Sequence, residues 1–488
     1  MSESAAQLPA LPPHGPLLVG VFAYLGLQLL IGLLVSRRVK TERDYLLAGR
    51  SFGPVISSFT IFATWFGAET CMGAAGLSYS GGLANTGSEP FGYALCLVLM
   101  ALVFAVPLWK RGFTTLADLF RERFGSRVER VAILVMVPTS ILWAAAQIRA
   151  FGLVLASLAA VPAWIAISIA AIVVLIYTSS GGLWADAITD VLQGVVLFIG
   201  LVVLLVTITW VQAPGAWAAI PAERLSFADA AASPLEFAEL FAVPVLGSVM
   251  AQELVQRVTA ARSAAVARTS TLIAAAAYVG IGLVPVALGL MARDLLPPLS
   301  NPEQVLLGLS TKYLPFWLQL LLCGALISAM LSTVDSALLV GGSLLAHNLV
   351  FGGRRSHAAE ATKLRGNRLA VVFCGVLAYA LGLVGDSVHD MVQEASSFGS
   401  SGVLVIGVFG LFTRFGDHRS ALAALIVGVS SYVCGAHVWQ LPAPFLGSLV
   451  LATASYVLVA LPGVALRRER GLVLSTAGDR SETETESD

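Results

Sequence analysis

Charge is scarce in this chain. Asp, Glu, Lys and Arg make up only 12% of its 488 residues, hydrophobic residues make up 57%, and mean hydropathy is +0.85. A soluble protein of this length would have too little polar surface to cover itself. Lys plus Arg and Asp plus Glu number 29 each, so no net charge points to a nucleic-acid partner. Cysteine is sparse too. Cys71, Cys96, Cys323, Cys374 and Cys434 are odd in number and lie in apolar runs, which argues against a disulfide framework and for small buried thiols. The six histidines (His14, His347, His357, His389, His418, His437) are scattered. With no metal-ligand cluster and no nucleophile elbow, the chain does not read as an enzyme. The opening MSESAAQLPALPPHGP has no basic region and no cleavage site, so the first apolar run is expected to stay as a membrane span.

Long apolar runs are what the chain does have. Crossing a hydrocarbon core of roughly 30 Å takes about 20 helical residues. Thirteen segments qualify, near 16–36, 52–79, 88–109, 128–157, 161–178, 183–210, 236–256, 265–292, 315–350, 368–385, 389–413, 420–440 and 444–466. Segments 52–79 and 315–350 are long and punctuated by Gly, Ser and Thr, a composition at which a spanning helix can unwind. Positive charge gathers in alternate loops: Arg37, Arg38, Lys40, Arg43 and Arg50; Lys110 to Arg130; Arg257, Arg262 and Arg268; Arg354 to Arg368; then Arg414, Arg419 and the C-terminal arginines. The other side has Arg224, Arg293 and Lys312. That asymmetry implies a cell-membrane protein with its N-terminus outside and its C-terminus in the cytoplasm. The expected layout is an extracellular tail (1–15), an extra N-terminal span (16–36), a five-helix repeat (52–210), an inverted second repeat (236–413), two C-terminal spans (420–466) and a cytoplasmic tail (467–488).

A charge near the bilayer centre is costly, so each one marks a functional group or a paired structural one. Glu69, Arg149, Asp190, Glu253, Asp335 and Glu394 are such charges, with Asp186 nearer the cytoplasmic end. In LISAMLSTVDSALLVGG, Ser332, Asp335 and Ser336 share one helix face, with Thr333 beside them. Together these oxygens suit a hard cation; bonding back to the helix's own carbonyls is the structural alternative. In SSGGLWADAITDVLQ, Asp190 lies about two turns into the sixth span, either deep or at a wetted end. The stretch IFATWFGAETCMGAAG carries Glu69 amid small residues. If it unwinds near Phe66–Gly67, the carbonyls of Ala63 and Phe66 become free ligands; a continuous helix with Glu69 facing an inner cavity is the alternative.

GAETCMGAAG, GGLWADAITDVLQ, AQELVQRVTAARSAAVAR and SAMLSTVDSALLVGGS occur in that order, and with them the chain resembles the sodium:solute symporter family from about Leu18 to Leu466. The resemblance implies an all-α polytopic membrane protein with a five-plus-five inverted repeat and discontinuous helices, the leucine-transporter fold. It implies sodium-coupled symport of a small organic solute by alternating access, usually by a monomer in the lipid membrane. The main Na+ site falls on backbone oxygens of Ala63, Phe66 and Ala329 with the hydroxyls of Ser332 and Thr333. A second sodium site in some members maps to Asp190, Ser332, Asp335 and Ser336, so one ion or two remain open. Substrate contacts map to Trp65, Glu69, Thr70, Arg149, Gln252 and Glu394. Arg149 either receives an acidic group of the solute or pairs with Glu69 or Glu394. Rival readings are a proton symporter using Asp190, Asp335 or Glu69, a transporter-like sensor, and a passive channel. Amino acids, organic acids, small quaternary amines and sugars all stay open as substrates.

Overall fold

Glycine and proline decide where the helices of this protein stop. The computed structural model describes residues 15–37, 39–227, 230–353, 357–385 and 387–462. The expected tails, 1–15 and 467–488, lie outside them but for Gly15. Among the described residues there is no strand, only an isolated bridge between Phe52 and Ala261. In chain order the main helices are α1 Gly15–Ser36, α2 Pro54–Trp65, α3 Ala74–Gly81, α4 Leu83–Arg111, α5 Ser126–Ala159, α6 Ala163–Ser179 and α7 Gly181–Gln212. There follow α8 Pro234–Gly247, α9 Gln252–Ala260, α10 Ala264–Leu295, α11 Phe316–Val350, α12 Glu360–Val384, α13 Val388–Phe412, α14 His418–Val438 and α15 Pro444–Pro462.

Among the described residues ten of these are long and apolar enough to cross a membrane, and the bent pair α8–α9 makes eleven if counted as one span. The second and fifth expected spans appear as shorter apolar helices, α2 and α6. Among the described residues, then, a count of thirteen is not confirmed. The cause for α2 is a break at Phe66–Gly67, after which the chain resumes as a π-helical turn over Glu69–Gly73 and then α3.

The second interruption is not where composition points. Segment 315–350 is unbroken helix, and its hydroxyls bond back to its own carbonyls: Thr333 Oγ1 donates to Ala329 O at 3.1 Å and Ser336 Oγ to Ser332 O at 2.6 Å. The break falls instead between α8 and α9, which meet at 45°. Pro244 has no N–H to give the helix, and at Gly247 a Cβ would lie 2.3 Å from Ser396 O. Both interruptions are thus in the first helix of an expected repeat. Between α6 and α7 the joint is Gly182 (φ 57°, ψ −169°), where a Cβ would come within 2.5 Å of the Tyr45 ring and 2.8 Å of its carbonyl. The helices α5, α11 and α13 are the most enclosed, while α1, α12, α14 and α15 lie outermost.

The loops expected on one side do meet at one end of the bundle. Arg50 donates to Thr259 O and Trp109 O, and Arg123 to the carbonyls of Phe415 and Gly416. Buried His347, in the last turn of α11, lies 3.1 Å from Glu42 and 3.5 Å from Asp118. Asn348 donates to Asp118 and Glu129, while Asn367 and Lys363 of α12 reach Glu42. Burial alone would raise the Asp118 carboxyl; the His347 ring and the N–H groups of Thr115 and Thr114 hold it below its ordinary value. Arg224, which donates to the carbonyls of Ser78 and Tyr79, and Arg293, over the Tyr79 ring, gather elsewhere.

Gly182→Ala places a side chain in a backbone region reserved for glycine. It should cost about 1–3 kcal/mol, read as a lowered melting temperature in detergent.

Candidate functional site

Past the C-terminus of a helix the last carbonyls lose their intrahelical donors. At the break in α2 the carbonyl of Ala63 finds new ones: Ser332 Oγ at 2.8 Å and Thr333 Oγ1 at 3.4 Å, both from α11. The same two hydroxyls reach Ala329 O, each at 3.1 Å. Two carbonyls and two hydroxyls from separate helices therefore converge, all buried. Phe66, with φ −88° and ψ 72°, has left helical geometry and ends α2 beside them. Among the described residues no group of three or more His, Cys, Asp and Glu could hold a metal. The cluster's neutral oxygens suit a hard monovalent cation, not a transition metal.

Gln147 of α5 holds the break open. Its Oε1 accepts from Ala68 N at 2.8 Å, and its Nε2 donates to Glu69 Oε2 at 3.1 Å. Gly67 lies between them, where a Cβ would stand 2.7 Å from Glu69 Oε2 and 3.0 Å from the Gln147 amide. Gln147 carries no signal in the sequence beyond lying two positions from Arg149.

One helical face further, the acids of α7 and α11 form a buried network. Asp190 accepts from Thr60, and Asp335 from Thr178. Arg257 pairs with Asp186 at 2.5 Å and donates to Ser336. Ser336 also meets Thr64 at 3.3 Å. Asp190 is therefore deep, not at a wetted end: it is fully buried, as is Arg257. Arg257 itself corrects the charge count of the loops, because it is an interior residue of α9 and not a solvated one. Its position in an amphipathic stretch after the seventh segment gave no sign of this. Only the fold brings it to Asp186.

On the other side of the break lies an aromatic enclosure. Trp65 packs against Trp143 with ring centroids 5.5 Å apart, Tyr93 against Trp143 at 6.4 Å and Tyr278 at 6.2 Å, and Phe66 against Tyr278 at 5.4 Å. Thr70 is hydrogen-bonded to the Tyr278 hydroxyl, and Tyr93 OH lies 3.2 Å from Ser396 Oγ. Glu69 and Glu89 are buried here, each with one oxygen lacking a hydrogen-bond partner. Trp143 also lines a cavity of about 30 Å³ with Gln252, Glu253 and Ser396, against the α8–α9 break.

Of the expected substrate residues, Trp65, Glu69 and Thr70 come together at this enclosure, and Gln252 reaches its edge, where its Oε1 accepts from Leu116 N at 2.6 Å. The other two point elsewhere. Arg149 donates to Gly382 O of α12 at 3.2 Å. Glu394 accepts from Tyr432 at 2.9 Å, lies 3.2 Å from His437 and is about a third exposed. The hydrogen-bond partner of Glu69 is Gln147, so the proposed pairings of Arg149 with Glu69 or Glu394 are replaced by other contacts.

Known proteins carry the same organisation. The sodium:solute symporter family model matches residues 45–428. The high-affinity choline transporter 1 of Caenorhabditis elegans is 27% identical over 409 residues, 76% of this chain and 69% of that one. The sodium/pantothenate symporter of Escherichia coli is 24% identical over 430 residues, 83% of this chain and 87% of that one. Among solved structures, a Na+-coupled sialic acid symporter in a substrate-bound outward-open state superposes with a TM-score of 0.81 at 19% identity, covering 92% of this chain and 97% of the other. Mhp1, a nucleobase-cation-symport-1 transporter in a closed conformation, gives 0.60 at 15% identity over 87% and 95%. The shared fold, the family match and the broken helix facing its hydroxyl-bearing partner lead to one conclusion: this chain is a multi-pass membrane transporter, not an enzyme, and belongs to the sodium:solute symporter family.

Proposed function

We propose that the protein is a sodium-coupled symporter that carries a small organic cation of the quaternary-ammonium kind by alternating access, with its N-terminus outside. The observation that carries the sodium part is the meeting of Ala63 O with the hydroxyls of Ser332 and Thr333. Sodium bound there by Ala63, Phe66, Ala329, Ser332 and Thr333 would tie α2 to α11. The substrate class rests on the enclosure. Aromatic faces attract a cation stripped of water, and two buried carboxylates with no ion pair among the described residues leave the site negative. Relatives named as choline transporters fit that chemistry.

Phe66 joins the two halves of the proposal. Phe66 ends α2, its carbonyl is a proposed ligand of the ion, and its ring packs on Tyr278 of the enclosure. Sodium that fixes the Phe66 backbone also fixes a wall of the solute site, so each ligand favours the conformation that the other prefers. The membrane potential drives the cycle by about 2.3 kcal/mol per charge per 100 mV. At the second ion position of Asp190, Ser332, Asp335 and Ser336, the Arg257 guanidinium already engages Ser336. One sodium per cycle follows, with Arg257 as a fixed charge where a second ion would stand.

In proteoliposomes, Ser332→Ala with Thr333→Ala should raise the sodium concentration for half-maximal uptake at least tenfold while the protein stays inserted. Unchanged sodium activation, or full uptake without sodium at acid pH, would favour proton coupling instead. Trp143→Ala should weaken choline binding by about 1–2 kcal/mol, roughly five- to thirtyfold; a variant that binds like wild type removes the cationic substrate. Arg257→Met strands Asp186 and should cost about 3–5 kcal/mol, seen as a lower melting temperature, with most of it regained in Asp186→Leu/Arg257→Met.

A further inference from the structure

The cavity against the α8–α9 break offers more hydrogen bonds than its own walls use. It measures about 30 Å³. A water-sized group needs roughly 10–15 Å³ of such space, so there is room for about two small heavy atoms. Most hydroxyls around it are already committed: Thr139 donates to Met136 O, Ser400 to Ser396 O, and Ser140 to Glu253 Oε1 at 2.7 Å. Two donors are not. Gln252 accepts from Leu116 N through its Oε1, but among the described residues its Nε2 has no hydrogen-bond partner, and neither has Trp143 Nε1. Both residues line the cavity, and they are 2% and 4% exposed. The first turn of α9 begins at Gln252 without a side-chain cap, because Ala251 stands at the cap position. A buried donor without an acceptor is costly, so the cavity suits an entering oxygen. Glu253 lines it as well, and its carboxyl can accept a hydrogen bond from that oxygen in return.

Cavity and enclosure adjoin. Trp143 belongs to both, and the Tyr93 hydroxyl of the enclosure lies 3.2 Å from Ser396 Oγ on the cavity wall. We propose that this cavity is a subsite for a hydroxyl group on a short arm of the cationic solute. The quaternary head stays among the aromatic rings, while the hydroxyl accepts from Gln252 Nε2 and donates to the Glu253 carboxyl. A hydroxyl satisfies both partners because it gives one hydrogen bond and accepts others. A methyl in its place would leave Gln252 Nε2 stranded. A carboxylate can only accept, has nothing to give Glu253, and brings three heavy atoms into room for about two. The subsite rests on the quaternary-ammonium substrate proposed above, and it selects the alcohols within that class.

The test is binding of three probes to the purified full-length protein in sodium buffer: choline, its oxygen-free isostere n-propyltrimethylammonium, and glycine betaine. Wild type should bind choline more tightly than the isostere by about tenfold or more, and more tightly than glycine betaine. Gln252→Met and Glu253→Leu should each bring choline and the isostere to within about threefold of one another, with the melting temperature in detergent checking that each variant is folded. A change that merely loosened the bundle would weaken both probes together and leave their ratio at the wild-type value. That result overturns the subsite. So does a wild type that binds choline and the isostere equally, or glycine betaine more tightly than choline; either leaves a cationic substrate standing, and neither depends on a variant folding. A wild type that binds none of the three sinks the quaternary-ammonium reading and the subsite with it.

Discussion

Everything in this protein turns on the cost of a carbonyl without a donor in a place without water. Breaking α2 at Phe66–Gly67 strands such carbonyls at the depth where hydration cannot repair them. The surroundings answer with two devices. Gln147 satisfies the N–H of Ala68 where the helix restarts, and the hydroxyls of Ser332 and Thr333 meet Ala63 O where it stops. Neither device would be needed by a continuous helix. The hydroxyl contacts are also the replaceable ones, since each hydroxyl has Ala329 O as a second acceptor within reach.

The interior charges are handled in two distinct ways on the two sides of that break. Toward α7 and α9, Asp186 is neutralised by a buried guanidinium, and Asp190 and Asp335 each take a threonine hydroxyl. Toward α4 and α5, Glu69 receives the Gln147 amide but no base, and Glu69 and Glu89 each keep one oxygen without a hydrogen-bond partner. A permanently paired acid is inert toward a passing cation, whereas an unpaired one is receptive. The aromatic walls sharpen the contrast, because they exclude water while offering their negative faces.

Much of this was readable in the amino-acid order. Apolar runs placed the helices, and the small residues around Phe66 left a break or a continuous helix open there. The STVDS turn placed its oxygens opposite the break, and four motifs in series gave the family. What failed did so for physical reasons. Ser and Thr in 315–350 suggested unwinding, but hydroxyls can instead bond back to carbonyls of an intact helix, and pattern alone does not tell the two apart. The α8–α9 break depends on how closely Gly247 approaches Ser396, a contact between distant segments. Arg257 looked like a loop cation because hydropathy sees a charge and not its burial. Arg149 and Glu394 lie on the expected spans but on faces turned toward α12 and α14. Gln147 carries no motif; its role comes from what the bundle packs against it.

His347 has a further meaning once the helices around it are considered as movable bodies. Around it, Glu42 comes from ahead of α2, Asp118 from between α4 and α5, and Lys363 and Asn367 from α12. A greasy plug at that end would resist parting, since drawing it open would wet apolar surface. Here the fastening is made of carboxylates, an imidazole and an amide, each of which water can solvate as well as its neighbour does. The bolt on this end of the molecule is one that the solvent outside can draw.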